Sequence, residues 1–184
     1  MNKIFKSFCF LFCALVFGAH VSFAKLNLFA TPRYIPNLSY FSDSGEKHKL
    51  TDNKEDLLIA LLWSRTCGPC IGDMKHLQVF ADKTKDKGIK VIIISPAEDW
   101  KTIDERLNFM QKIGAPHLES YTDPKSNFSH GMGVMVTPTA IMVSREGEEV
   151  GQITGSVEWD DPKVIDYLLK LKEDIYKPKD NDSK

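Results

Sequence analysis

Leu57 to Trp63 is an unbroken apolar run with no helical period, and no other stretch restricts the possible folds as strongly. A surface helix would place polar residues every third or fourth position, and a half-exposed strand would alternate. A run with neither pattern fits a strand buried on both faces, which implies a parallel sheet covered by helices. Thr66 to Pro69 then interrupts the run. From Ile71 the apolar positions Met74, Leu77, Phe80 and Ala81 follow helical spacing up to Gly88, where the glycine ends the predicted helix.

The same alternation continues downstream. Val91 to Ile94 is a second fully apolar strand. Trp100, Ile103, Leu107 and Met110 recur at three and four residues and predict an amphipathic helix closed by Gly114. A short extended piece near Leu118 to Tyr121 and a short helix from Pro124 lead to Thr137-Pro138-Thr139 and a strand from Ala140 to Val143. Glu146-Gly147 turns this strand into a partner over Glu149 to Thr154. Val164, Leu168 and Leu171 form the apolar side of a last helix. Upstream, Leu38 to Phe41 followed by Ser42-Asp43-Ser44-Gly45 reads as a strand entering a turn, with a hairpin ending near Leu50. The expected class is α/β: a central mixed β-sheet flanked by helices, with an N-terminal β-hairpin.

The chain's start reads as a targeting segment. Lys3 and Lys6 precede the apolar run Phe8 to Phe17, which is the length of a signal-peptide core and short of the roughly twenty residues that span a bilayer. Ser22-Phe23-Ala24 supplies small residues for cleavage after Ala24, with an uncleaved membrane anchor as the alternative. The expected layout is a signal over 1–24, an extended lead-in over 25–37, one domain over 38–174 and a charged, disordered tail over 175–184. The full chain has 24 basic and 25 acidic residues. Removing the signal leaves 22 basic against 25 acidic residues, which gives no basis for nucleic-acid binding.

Cysteine usage is more informative than charge. Cys9 and Cys13 leave with the signal, so Cys67 and Cys70 are the one pair left to the mature chain. A disulfide across so short a loop removes little unfolded-chain entropy and is a poor staple. In an oxidising compartment a lone pair of this kind points to a redox couple. A zinc site would need two further ligands, and His48, His76, His117 and His130 stand at no ligand spacing. No metal or cofactor is expected.

Thiol–disulfide exchange requires a thiolate, and an unperturbed thiol is mostly protonated at pH 7. Cys67 is expected where the strand ends and the helix begins, with unsatisfied helix N–H groups and the positive end of the dipole facing its sulfur. Pro69 fits the first turn of that helix. Cys70 then lies one turn in, more shielded and able to resolve the mixed disulfide that Cys67 forms. Arg65 is either a further support for the thiolate or a solvated surface charge.

Trp63-Ser64-Arg65-Thr66-Cys67-Gly68-Pro69-Cys70 at a strand-to-helix junction resembles the thioredoxin active site. The N-terminal hairpin, the run Gly133-Val134-Met135-Val136-Thr137-Pro138-Thr139 and the Arg145-Glu146-Gly147 turn are similar to the TlpA/ResA-like branch of exported thioredoxins. The resemblance covers about residues 38 to 174. It implies a thioredoxin-like fold, a catalytic pair in Cys67 and Cys70, and a cis Pro138. Thr137, Pro138 and Trp63 are the implied substrate-binding residues. It also implies a periplasmic protein-disulfide reductase, expected to be a monomer, fed by a membrane thiol donor. Its implied substrates are cysteine-containing exported proteins, apocytochrome c or copper-site proteins among them.

Two residues depart from that pattern. Leu61 stands where thioredoxin has a buried acid that helps move the resolving cysteine's proton, so that proton must use water or another group. Thr66 replaces the aromatic residue usual before the first cysteine. The Gly-Pro spacer favours reductase over oxidase direction. Two competing readings remain: a peroxiredoxin-like peroxidase, from Ser64-Arg65-Thr66-Cys67, and a Cu(I) metallochaperone binding through the two thiolates.

Overall fold

A computed structural model of the chain describes residues 24–177. All but the last residue of the expected signal, and the tail from 178 onward, lie outside the described residues. The strands are β1 (Lys25–Arg33), β2 (Tyr40–Phe41), β3 (Lys47–His48), β4 (Leu57–Leu62), β5 (Ile89–Pro96), β6 (Glu119–Asp123), β7 (Thr139–Ser144) and β8 (Glu149–Thr154). The helices are α1 (Gly68–Thr84), α2 (Ile103–Lys112), α3 (Asn127–Gly131) and α4 (Pro162–Ile175).

The strands form one sheet in the order β1-β8-β7-β4-β5-β6-β2-β3. β4, β5 and β6 are mutually parallel, while β7 joins β4 antiparallel and continues through the hairpin to β8. Parallel neighbours need a crossover, and α1 supplies the one between β4 and β5.

Strand β4 shows why its sequence is apolar throughout. Leu57, Ile59, Leu61 and Trp63 enter one core with Met74, Leu77 and Phe80 of α1 and Ile165 and Leu168 of α4. Leu58, Ala60 and Leu62 enter a second core on the other face with Ile35, Tyr40, Leu50 and Phe128. Both faces of the strand are therefore covered. Each fully buried Leu or Ile contributes about 1.5–3 kcal/mol relative to exposure.

Three details differ from the sequence reading. The expected lead-in is a nine-residue edge strand, β1, antiparallel to β8 and mostly exposed. Edge position explains why it tolerates Pro32. Trp100 lies before α2 rather than on it, and Ile103 and Leu107 are 46% and 50% exposed. Arg106 faces inward in their place, paired with Asp43 of the β2–β3 turn. At the C-terminus Tyr176 is held: its hydroxyl donates to the Asp56 carbonyl oxygen at 2.7 Å and accepts from the Arg145 N–H at 2.8 Å. Order therefore extends past 174. Among the described residues no helix is long and apolar enough to cross a membrane.

Candidate active site

Strand β4 ends at Leu62 and the chain passes through Trp63 to Thr66 before Cys67 caps α1. Cys67 has extended backbone angles, and its Sγ accepts the N–H of Cys70 at 3.2 Å, so an orphan donor of the first turn points at sulfur. That geometry and the helix dipole favour negative charge on Cys67 once the bond is reduced. Cys67 and Cys70 are joined as a disulfide with Cα atoms 5.3 Å apart. Cys70 is fully buried while Cys67 is partly exposed, so a partner in solution can meet only one of the two sulfurs.

The segment before β7 comes to the same place. The Thr137–Pro138 peptide bond is cis, and the Thr137 carbonyl oxygen lies 3.6 Å from Cys67 Sγ. Pro138 is buried and Thr137 exposed. Thr139 Oγ1 donates to the Val136 carbonyl, and the Gly155 N–H donates to the Pro138 carbonyl, fixing the loop from both sides. Met135 to Thr137 form an exposed bend beside Cys67 that leads into β7 at Thr139.

Trp63 is placed differently from its expected role. It is 1% exposed and packs against Trp100 and Phe109, with ring centroids 5.9 and 6.3 Å away. An enclosed ring offers no surface to a macromolecular substrate. Of the residues expected to bind substrate, Thr137 has its carbonyl beside the reactive sulfur, and the buried Pro138 follows it through the cis bond.

Arg65 is neither a free surface charge nor a partner of the sulfur. Its Nη1 bonds Glu105 at 2.7 Å and the Asp99 carbonyl at 2.8 Å, and its guanidinium lies over Trp100 and Phe109. The Lys101 N–H and Arg65 together hold the Glu105 carboxyl below its usual range. Asp99 Oδ2 accepts from Ser64 Oγ at 2.8 Å and from the Arg65 N–H at 2.9 Å. Ser64 Oγ also lies 3.0 Å from Thr66 Oγ1. The hydroxyls that a peroxide site would draw on are engaged in bracing the loop.

The apolar position at Leu61 is confirmed as apolar surroundings: Leu61 and Cys70 belong to one buried cluster. The acid of this region comes from the helix. Asp73, one turn past Cys70, is 7% exposed and accepts from the Val157 N–H at 3.2 Å. Burial pushes its carboxyl above the ordinary range, opposed by hydrogen bonds from Val157 and Ser156. Sequence reasoning passed over it because an acid in an amphipathic helix reads as part of the solvated face. The available signal was its helical offset of three from Cys70. Among the described residues no group of three or more potential ligands is placed to hold a metal.

The Redoxin family model matches residues 24–169. Among curated relatives, a thiol-disulfide oxidoreductase ResA of Bacillus thuringiensis (strain Al Hakam) is 26% identical over 136 residues, covering 74% of this chain and 75% of the relative. Among solved structures, a thiol:disulfide interchange protein from Bacteroides sp. superposes with a TM-score of 0.60 at 20% identity, covering 79% of this chain and 91% of that one. StoA from Bacillus subtilis superposes with a TM-score of 0.56 at 16% identity, covering 74% and 93%. The shared fold is thioredoxin-like, as the sequence resemblance implied.

Proposed function

The chain belongs to the Redoxin family and has the fold of thiol–disulfide oxidoreductases, and from that premise we propose that it is an exported reductase of partner-protein disulfides acting through Cys67 and Cys70. The observation that carries the reading is the asymmetry of the pair. A partly exposed Cys67 caps α1 beside the Thr137 carbonyl, and a fully buried Cys70 stands one turn behind it.

The reaction follows from that asymmetry. In the dithiol form the Cys67 thiolate attacks one sulfur of a partner disulfide; a Cys67–partner S–S bond forms and the partner's second sulfur leaves as thiolate. Cys70 loses its proton and attacks Cys67 Sγ, which closes the Cys67–Cys70 disulfide and releases the partner's first sulfur. Two electrons pass to the partner, whose sulfurs end as thiols. A dithiol donor returns the same two electrons to Cys67–Cys70 by the reverse exchange. Asp73, with its raised proton affinity and its place one turn from Cys70, is the acceptor we assign to the Cys70 proton. Thr137 presents exposed backbone beside Cys67 to a partner segment, and the buried cis Pro138 sets its direction.

Export rests on the N-terminal signal reading, and the relatives named as thiol-disulfide oxidoreductases support the chemistry. Apocytochromes and copper-site proteins are the substrates that the resemblance suggests, and a membrane thiol protein is the suggested donor. The deciding measurement is the reduction potential of the Cys67–Cys70 couple in dithiol buffers. A value near the roughly −270 mV of thioredoxin supports a reductase, and one near the roughly −120 mV of oxidase proteins would reject that direction.

A further inference from the structure

From Ile71, one turn past Cys67, a shallow open groove of about 560 Å³ runs between the start of α1 and the end of α2. Ile71 and Gly72 form its α1 wall near the disulfide, and Lys112 and Ile113 form the opposite wall. Lys75 and His76 continue it along α1. Gly114 lets the walls approach: it has a positive φ of 79°, and a Cβ there would stand 3.1 Å from the Lys75 Cβ.

The charge of this groove runs against that of the protein. Among the described residues no carboxylate lines it. His76 is paired with Asp160 at 2.9 Å, while Lys75 and Lys112 are exposed and enter no ion pair among the described residues. Arg65, the other cation next to the cysteine loop, is neutralised by Glu105. Two ammonium groups without an ion pair among the described residues therefore line this surface, Lys75 two turns along α1 from Cys67, on a chain whose total charge is −1. On the other flank of Cys67, Met135 and Val136 are 82% and 57% exposed.

We infer that this groove is a docking surface for the polypeptide partner, and that it selects partner segments carrying acidic residues beside the reactive cysteine. The inference deepens the reductase reading and rests on it. Carboxylates on the partner meet Lys75 and Lys112 while apolar side chains meet Ile71, Ile113 and Met135. The two lysines act mainly on encounter, because exposed charges raise association rates by steering and lose that effect as salt screens them.

The test uses the reduced protein and two synthetic disulfide peptides that differ only in their flanks, one with aspartate and glutamate and one with lysine. Hydroxyethyl disulfide serves as the uncharged reference, and all rates are normalised to it. The acidic peptide is expected to react about tenfold faster than the basic one at low ionic strength, with the ratio approaching one as salt rises. In the double variant Lys75→Gln, Lys112→Gln the ratio is expected to collapse at low salt. Equal rates for the two peptides, or a ratio unchanged in the variant, would overturn the docking assignment while leaving the exchange chemistry intact. Failure of the wild-type protein to reduce hydroxyethyl disulfide would overturn the reductase reading and the docking assignment with it.

Discussion

The carboxylate of Asp73 accepts the backbone N–H of Val157 at 3.2 Å, tying the active helix to the segment that follows β8. Two residues earlier, the Gly155 N–H holds the Pro138 carbonyl at 2.9 Å. The disulfide-bearing helix and the loop facing Cys67 thus share one anchor. A buried acid in that anchor affects stability and chemistry in opposite directions.

Asp73→Asn is expected to stabilise the protein at neutral pH and to slow its oxidation. Burial raises the Asp73 pKa above its unfolded value. The stability linked to its protonated form is complete below the unfolded pKa and is lost as pH rises through the folded one. Asparagine keeps an acceptor for Val157 without a charge to desolvate. Urea midpoints should therefore favour the variant near pH 7 and converge near pH 4. Stopped-flow oxidation of the reduced protein should slow near pH 7 and lose its dependence on the acid's titration.

Cys67→Ser should reduce exchange to background, whereas Cys70→Ser should accumulate a mixed disulfide visible by intact mass. The assignment reverses if the Cys70 variant loses attack and the Cys67 variant traps partner. Opening the wild-type bond should cost no more than about 2 kcal/mol of stability in the loop-closure account, because the loop is so short. Denaturation of oxidised and reduced forms checks this.

Much of the fold was legible because burial wrote itself into long apolar runs. β4 and β5 carry no polar alternation because helices or the hairpin cover both faces. The cysteine pair was equally legible, since Pro69 and the strand end fix where α1 begins. What stayed hidden was decided by single pairings. Ile103 and Leu107 have helical spacing, yet α2 turns Arg106 inward, where it pairs with Asp43. β1 was read only as an extended lead-in, and pairing with the β8 edge makes it a strand. Trp63 was given a substrate-binding role by resemblance, and Trp100 and Phe109, 37 and 46 positions on, close over it.

Asp99→Ala should loosen the loop before Cys67. It removes the acceptor of both Ser64 Oγ and the Arg65 N–H. Hydrogen bonds to a charged group are worth more than neutral ones, and partial exposure reduces that to a net loss of about 1–2 kcal/mol. kcat/KM on a peptide disulfide is expected to fall several-fold, and Asp99→Asn, which can still accept a bond, should recover part of the loss. An unchanged kcat/KM in the alanine variant would show that the clamp does not position Cys67.

The Asp43–Arg106 pair should respond unequally to loss of each partner. Arg106 is 2% exposed at its side chain and Asp43 is 40% exposed, so only the cation depends on the pair for its solvation. Burial already lowers the Arg106 pKa. Asp43→Ala leaves a guanidinium buried without a counter-charge, which costs about 3–5 kcal/mol in a dry site and about 2–3 kcal/mol with one partner half in water. Arg106→Met removes the charge together with its desolvation and fills similar space, so it should cost less than Asp43→Ala or raise stability. Chemical denaturation of the two single variants and the double variant gives the order directly: the double should resemble Arg106→Met, because Asp43 alone is free to hydrate. If Arg106→Met proves the more damaging change, the pair stabilises the protein in its own right and α2 owes its inward turn to attraction rather than to the packing of the arginine's stem.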